Sequence, residues 1–539
     1  MVQKLFEIIK SGISDQNNQK ALAFWFSIVI ISFGFQAYGF GFNRILPRNL
    51  VENTATLIIL ISLSLLFNEK WRTIIQYLGY LVFWFNNLFE CLYYYLFKAN
   101  ISASSIFILL ETNLAEAREF LEFYFNPFLS VVISVFIIHL FLFFYFKPIF
   151  RVQQKIRYQG LIYVLGIVLP LFLMIFRGYE QFNFIYLSAD AVVEYIEEQQ
   201  KMAEFDIDRP IADIEEFSIE TKVDTATYIL VIGESTTRRR MSLYSYERPT
   251  TPFLDSLKPD LWVYKDVISS HAYTIGALRN ALVLNGLEKK EDFSIIQLMN
   301  LAGFKTFWIS NQRPIGQYES LVTKIAMSSD VYLTKNTAFD GSITPYDEVL
   351  IPELEKALSD PAPKKFIVLH PLGTHLLYKD RYPEDFEIFK GETNIKYVHD
   401  KSEQRSNSYD NAVLYHDYFL KSVFEHLKPI NHRAYMIYFS DHGDEVYESI
   451  DFSGHAEENP TRSMYDIPFF IWMNPEFKQD FNKAYIPENP YQLQNFIHTM
   501  SELNGFRFKD FELKKSIFSK QEPNAKRKLG SGKYYSDLP

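Results

Sequence analysis

Glu234, Asp441 and His442 are the residues whose types and setting could do chemistry. Tyr228 to Ile232 is a short apolar, β-branched run with the pattern of a buried strand, and Gly233 breaks it where Glu234 opens the polar turn GESTTRRR. In open α/β sheets ligands bind in the crevice beyond the carboxyl ends of the strands, so a carboxylate there is placed for chemistry. Alone, such a glutamate reads as an N-cap or a solvated turn residue. A second run repeats the logic far downstream: an apolar strand from Ala434 to Phe439 delivers Asp441 and His442 side by side. Carboxylate and imidazole at a strand end are metal-ligand chemistry. Between them, SSHAYTIGALRNAL puts Thr274 at the start of an expected helix. There the dipole and exposed N–H groups help a hydroxyl ionise and suit a phosphate; an N-cap threonine is the plain alternative.

These residues need a scaffold that gathers strand ends. Candidate strands are Tyr228–Ile232, Thr306–Ile309, Phe366–Leu369, Ala434–Phe439 and Phe469–Trp472. Candidate helices are Ser294–Ala302, Tyr346–Leu358, Tyr409–Leu427 and Gln492–Leu503. The alternation predicts an α/β domain over 226–539 with a mostly parallel central sheet and helices on both faces. Asn311 follows the second strand, and His370 and His375 follow the third. Residues 178–225 read as a polar, Glu-rich connector, helical through Ser188–Glu204. The basic tail Lys526–Lys533 is expected to be mobile.

The 539 residues divide by composition, because nearly all long apolar stretches fall before Arg177. Five of them are long enough for a membrane-spanning helix, which takes roughly 17–25 residues: Ala23–Phe42, Thr54–Phe67 with its flanks, Ile74–Phe97, Pro127–Phe146 and Gly160–Phe176. A five-helix transmembrane domain over 1–177 follows. Basic residues concentrate before the first span, between the second and third, and between the fourth and fifth, which puts the amino terminus in the cytoplasm. An odd number of spans then exports everything after Arg177, in a bacterium to the periplasm. The loop between the third and fourth spans carries several glutamates at helical spacing. It reads as a solvated interfacial helix, or as one whose Thr112 and Glu116, four apart on one face, hold a cationic lipid head group. The net charge of −10 argues against a nucleic-acid partner. The single cysteine, Cys91, lies in an apolar run, so no intramolecular disulfide is available to the exported half.

Taken in order behind five spans, GESTTRRRMSLYSYERPTTP, SSHAYT, SNQ, HPLGTH, YDNAVLYHDYFL and SDHGDE with GHA resemble the bacterial phosphoethanolamine transferases, whose fold is alkaline phosphatase/sulfatase-like. The resemblance implies transfer of phosphoethanolamine from phosphatidylethanolamine to an envelope acceptor, lipid A or a core sugar of lipopolysaccharide, or a periplasmic glycan. It implies an inner-membrane enzyme with a periplasmic catalytic domain. It makes Glu234, Thr274, Asp441 and His442 ligands of a catalytic zinc ion, with Thr274 as nucleophile. His375 and His455 match positions that act on substrate phosphate or bind a second zinc, and Asn311 one near the substrate head group. Thr112 and Glu116 match positions implicated in binding the donor lipid.

Departures from the pattern are visible too. Several relatives staple the exported domain with disulfides, one beside the nucleophile, where this chain has Ser270. A lysine that some relatives carry after the asparagine is absent from NQRPIGQYES, and Ile108 stands where some have asparagine. A sulfatase needs a cysteine or serine converted to formylglycine, and Thr274 cannot be so converted. A phosphoglycerol transferase, another sulfatase-like phosphohydrolase and a catalytically inactive membrane sensor are the other readings, the last disfavoured by the intact ligand set.

Overall fold

The computed structural model describes residues 16–42, 45–97, 114–151, 159–177, five positions between 189 and 200, 214–289, 292–312, 321–336, 344–522 and 526–539. The chain forms two compact units, Met1–Leu110 with Tyr124–Ile196, and Glu111–Phe123 with Glu197–Pro539.

In the first unit each of the five apolar stretches coincides with a helix: Gln16–Phe40, Ile45–Leu65, Glu69–Phe97, Pro127–Phe146 and Gln159–Arg177. Asn126 sets the start of the fourth by accepting N–H groups from Phe128 and Leu129, with Pro127 in the first turn, where its missing donor costs nothing. Among the described residues, Gln16–Gly39 and Pro127–Phe146 are long and apolar enough to cross a membrane, and Gly160–Phe176 is apolar but shorter. The expected second and third spans fall short on hydropathy for a physical reason. Glu69–Phe97 buries Gln76, Asn86, Asn87 and Glu90; Gln76 bonds across to Ser64, Asn86 to Asn53, and Glu90 accepts from Asn53 at 2.8 Å. Large apolar side chains such as Ile138, Phe141, Phe146 and Phe176 face outward.

The second unit is built on seven strands: β1 (Ala226–Gly233), β2 (Leu261–Tyr264), β3 (Lys305–Ser310), β4 (Val331–Thr334), β5 (Lys364–His370), β6 (Arg433–Ser440) and β7 (Phe469–Met473). They lie in the order β2-β7-β6-β1-β5-β3-β4. The run from β6 through β1, β5 and β3 to β4 is parallel, while β7 is antiparallel to both its neighbours, so the sheet is mixed. All eight residues of β1 are buried, which explains its continuous apolar sequence at the centre of a sheet covered on both faces. The register does the positioning. Gly233 lies opposite Ser440, Val231 opposite Leu369, and Ser310 opposite His370. The carboxyl ends of four parallel strands therefore open along one edge, and Glu234, Asn311, Pro371 and Asp441 all leave the sheet there.

Two short strands at or near the sheet edges, β2 and β4, lie outside the sequence expectation. The helix expected from Tyr409 begins earlier, as Asp400–Leu427, because His399 caps it by accepting from the Ser402 N–H. Ser294 caps Ile295–Leu301 with a reciprocal bond to Gln297. The tail expected to be mobile is fastened: Arg527 pairs with Asp266 at 2.7 Å, and Lys528 forms a bridge with Tyr534. Its basic composition hides the partners because they come from distant parts of the chain.

Leu230, fully buried in the central strand, is the sharpest test of this core. Leu230→Ala should destabilise the second unit by about 3 kcal/mol, the usual cost of a large-to-small change with its cavity. Denaturant unfolding followed by tryptophan fluorescence should show the midpoint fall with an unchanged slope.

Candidate functional site

Glu234, Asp441 and His442 are each at most about one per cent exposed. Their backbone is held from several sides. The Asp441 N–H donates to the Gly233 carbonyl at 3.0 Å, and the phenol of Tyr409 donates to the Ser235 carbonyl while accepting the Thr237 N–H. Ser235 itself adopts a left-handed conformation, φ +57°, a strained state that persists only when neighbours fix it. Gly373 lies against this turn with φ +55°, and a Cβ there would stand 2.9 Å from the Glu234 carbonyl oxygen. Thr274 is the first residue of the helix Thr274–Leu282 and remains half-buried, the open member of the group.

The side-chain ends converge. Thr274 Oγ1 is 3.4 and 3.3 Å from the two Glu234 carboxylate oxygens and 3.5 Å from His442 Nε2. His442 Nε2 is 3.5 Å from Glu234 Oε1 and 3.5 Å from Asp441 Oδ2. Charged groups in direct hydrogen bonds would lie about 2.7–2.9 Å apart. Ligand atoms about 2.0–2.1 Å from a tetrahedral ion stand about 3.3–3.4 Å from one another, and the observed spacing fits that.

The orientations fit a cation as well. Asp441 Oδ1 accepts the N–H groups of Ser235 and His442, while its Oδ2 is buried with no hydrogen-bond partner. His442 Nδ1 sits 3.0 Å from the Gly443 carbonyl and donates to it, so Nε2 is the nitrogen turned to the cluster, available as a ligand once its proton is displaced.

Electrostatics express the same demand for positive charge. Burial and the neighbouring Glu234 push the Asp441 carboxyl up to about 8. Burial works against a charged His442, yet Asp441 and Glu234 together raise its imidazole to about 10. For Glu234 burial is likewise outweighed, and the hydrogen bond and charge of His442 hold its carboxyl below the ordinary range.

Two further histidines border the group. His455 Nδ1 is 2.9 Å from Asp444 Oδ1, and Asp444 Oδ2 accepts from the Tyr378 phenol at 2.7 Å. The His455 and His442 rings lie 4.2 Å apart. His442, Asp444 and His455 form a second trio able to hold a metal ion beside Glu234, Asp441 and His442. His375 lies where the Glu234 charge acts on it; burial still pushes its imidazole down, so it is neutral near pH 7. Its Nδ1 is 3.9 Å from Glu119, which is paired with Arg381 at 2.6 Å.

Of the residues singled out from sequence, Glu234, Thr274, Asp441 and His442 meet in one cluster, with His375 and His455 on its margin. Asn311 is turned away from it: its amide donates to Asp347 and to the Pro345 carbonyl. The adjacent Gln312 reaches the cluster instead, 3.4 Å from Glu234 Oε2. Arg238 and Arg239 pair with Asp466, and buried Arg240 with Asp410 and Glu448, so all three act as braces. Thr112 lies outside the described residues, as does the side chain of Glu116 in the helix Leu114–Tyr124. Sequence reasoning misses Asp444 and Gln312, although each stands beside a named residue in SDHGDE and SNQ.

Residues 226–506 match the family model described as Sulfatase. The phosphoethanolamine transferase EptC of Escherichia coli (strain K12) is 32% identical over 501 residues, covering 86% of each chain. The crystal structure of the C-terminal periplasmic domain of Escherichia coli EptC in complex with Zn matches with TM-score 0.58 at 36% identity, covering 60% of this chain and 97% of that one. The integral membrane lipooligosaccharide phosphoethanolamine transferase A (EptA) of Neisseria meningitidis has the same fold over 92% of this chain and 97% of its own, with TM-score 0.67 and 16% identity. The architecture is thus an alkaline phosphatase-like α/β domain preceded by an N-terminal membrane domain.

Metal binding must displace the protons that Asp441 and His442 hold near pH 7. Zinc added to the metal-free protein should therefore release protons, and its affinity should rise with pH through neutrality. Calorimetry in buffers of different ionisation enthalpy measures the release. Asp441→Asn should weaken binding by about 100-fold or more.

Proposed function

The chain belongs to the sulfatase family, among the phosphoethanolamine transferases, and from that premise we propose that it transfers phosphoethanolamine from phosphatidylethanolamine to an envelope acceptor through a phospho-threonine on Thr274. The acceptor is lipid A or a core sugar of lipopolysaccharide, or a periplasmic glycan. The observation that carries this reading is the 3.3–3.5 Å spacing of Thr274 Oγ1, Glu234 and His442 at the open edge of the sheet. Zinc, with which the related EptC domain was crystallised in complex, suits the same donors: one carboxylate oxygen each from Glu234 and Asp441, the His442 imidazole and the Thr274 hydroxyl.

When bound there, a divalent ion lowers the pKa of the hydroxyl and neutralises phosphoryl oxygens. The protein's own groups do the rest. Thr274 Oγ gives up its proton to a bordering imidazole and attacks the donor phosphorus, and the bond from phosphorus to the diacylglycerol oxygen breaks. The imidazole returns the proton to that oxygen, which leaves as diacylglycerol. An acceptor hydroxyl then attacks the phospho-threonine, its proton goes to a neutral imidazole, and the Thr274 hydroxyl is restored. His455 is suited to this proton traffic because Asp444 fixes its Nδ1 side and leaves Nε2 to exchange protons. His375, neutral and beside the cluster, is suited to the donor oxygen or to a second ion. Thr112 and Glu116 are assigned to the donor head group, and Asn311 acts at the head-group pocket by holding the loop that presents Gln312. In this reading residues 1–177 cross the bacterial inner membrane as five helices, 178–225 connect, and 226–539 work in the periplasm.

Thr274→Ala should abolish transfer of labelled phosphoethanolamine, a loss of about 1,000-fold or more, while the protein stays folded and membrane-inserted. Retained transfer in that variant overturns the nucleophile. Independently, a chelator should stop turnover and added zinc should restore it, and mass spectrometry of envelope glycolipids should locate the added group.

A further inference from the structure

The loop that carries Thr274 has no covalent staple, because Cys91 is the only cysteine in the chain. It is instead overlaid by residues 526–539. This segment folds back on itself: the Leu529 N–H donates to the Lys533 carbonyl, and the Tyr535 N–H to the Arg527 carbonyl, both at 2.9 Å. Leu529 and Leu538 are buried, and Gln492 holds the Lys528 carbonyl at 2.8 Å. From that base it touches the site's supports at two points.

At the first, the Gly530 N–H donates to the Ser270 carbonyl at 2.9 Å. Gly530 lies so close to the next residue that a Cβ on it would overlap the His271 ring, and would come within 2.8 Å of Glu457 Oε1. The other Glu457 oxygen accepts the Ala272 N–H at 2.6 Å. Three consecutive residues of the loop, Ser270 to Ala272, are thus held by Gly530 and Glu457 immediately before Thr274. Across the helix Thr274–Leu282, the Asn280 amide reaches Ser270 Oγ at 3.2 Å. At the second point, the Tyr535 phenol donates to Asp466 Oδ1 at 2.6 Å. The same carboxylate pairs with Arg238 and Arg239, a few residues past Glu234.

We propose that residues 526–539 are a clamp that positions the Thr274 hydroxyl against the Glu234 carboxylate, doing without covalent chemistry what a disulfide could do at Ser270. Gly530 and Tyr535 are its positioning residues; neither touches substrate. The inference rests on the reading of Thr274 as nucleophile, since misplacing a reacting atom by about 1 Å costs about 100-fold in rate.

The test uses the full-length protein in detergent with phosphatidylethanolamine as donor, and compares wild type with Gly530→Ala. Two readouts are taken: hydrogen exchange of the backbone amides at 270–276, and diacylglycerol release resolved into kcat and KM. Exchange is expected to quicken and kcat to fall, each by about tenfold or more, with KM for the donor unchanged within about twofold. A second variant adds Ser270→Cys and Asn280→Cys to Gly530→Ala. Its oxidised form should recover most of the lost kcat and its reduced form should not, which a merely unfolded Gly530→Ala protein could not show.

Wild-type exchange at 270–276 and wild-type kcat in Gly530→Ala would overturn the clamp, and so would a lowered kcat that the oxidised pair leaves unrecovered. Failure of the nucleophile reading looks different, because Thr274→Ala would then keep transferring while the exchange readout still judges the contact at Gly530.

Discussion

Two carboxylates and an imidazole are buried against one another; among the described residues no lysine or arginine pairs with either carboxylate, and the second unit is arranged around that fact. Burying even one unpaired carboxylate costs several kcal/mol, and here Glu234 and Asp441 are both sealed from water. One Asp441 oxygen is satisfied by backbone N–H groups while the other has no hydrogen-bond partner, so the demand for positive charge is local and directional. Protons can meet it, as the raised Asp441 and His442 show, or a divalent ion can. The parallel register makes such a cluster possible, because Gly233 and Ser440 end side by side and bring residues two hundred positions apart within reach.

Around this centre the chain uses buried charge to fix loops. Asp466 joins Arg238, Arg239 and Tyr535, and Asp410 joins Arg240, Arg248 and Tyr246. Buried pairs of this kind add little net stability over well-packed apolar groups, yet losing one partner is costly. Their value lies in geometry: each ties the turn after Glu234 to a distant element. A unit with no disulfide available to it relies on such ties. The arginines that the sequence sets beside Glu234 are therefore committed to Asp466, Asp410 and Glu448 as braces, and the polar groups that reach the cluster itself are Gln312 and the bordering histidines.

The strand runs before Glu234 and before Asp441 are legible because each is apolar, short and ended by a polar turn, so both carboxylates can be placed at strand ends from the sequence alone. Thr274 is legible as a helix start. Asn311 and Gln312 show where that reading stops: after a strand ends, nothing in the sequence says which of two neighbouring side chains turns inward, and the Asn311 backbone bond to His370 together with its side-chain bond to Asp347 decides it. Asp444 is hidden for the same reason, since its role depends on His455 and Tyr378, which come from other segments. β2 and β4 escape because four-residue strands at or near a sheet's edge carry too short a pattern, and the tail because a basic composition says nothing of its distant partners.

The helical unit inverts the usual link between hydropathy and burial. Phe141 is 68% exposed and Phe176 73% exposed, while Asn86 and Asn87 are fully buried. In water such a surface would drive association, whereas in a bilayer it is the solvated face, and polar side chains must then turn inward and bond to one another. The bonds from Asn86 to Asn53 and Glu90, and from Asn53 to Glu90, do this. Each inward polar residue lowers the mean hydropathy of its helix without exposing anything polar to lipid. In Glu69–Phe97 an apolar outer face and a polar inner face offset one another in the mean hydropathy, so its low average reflects inward polar groups and not a polar surface.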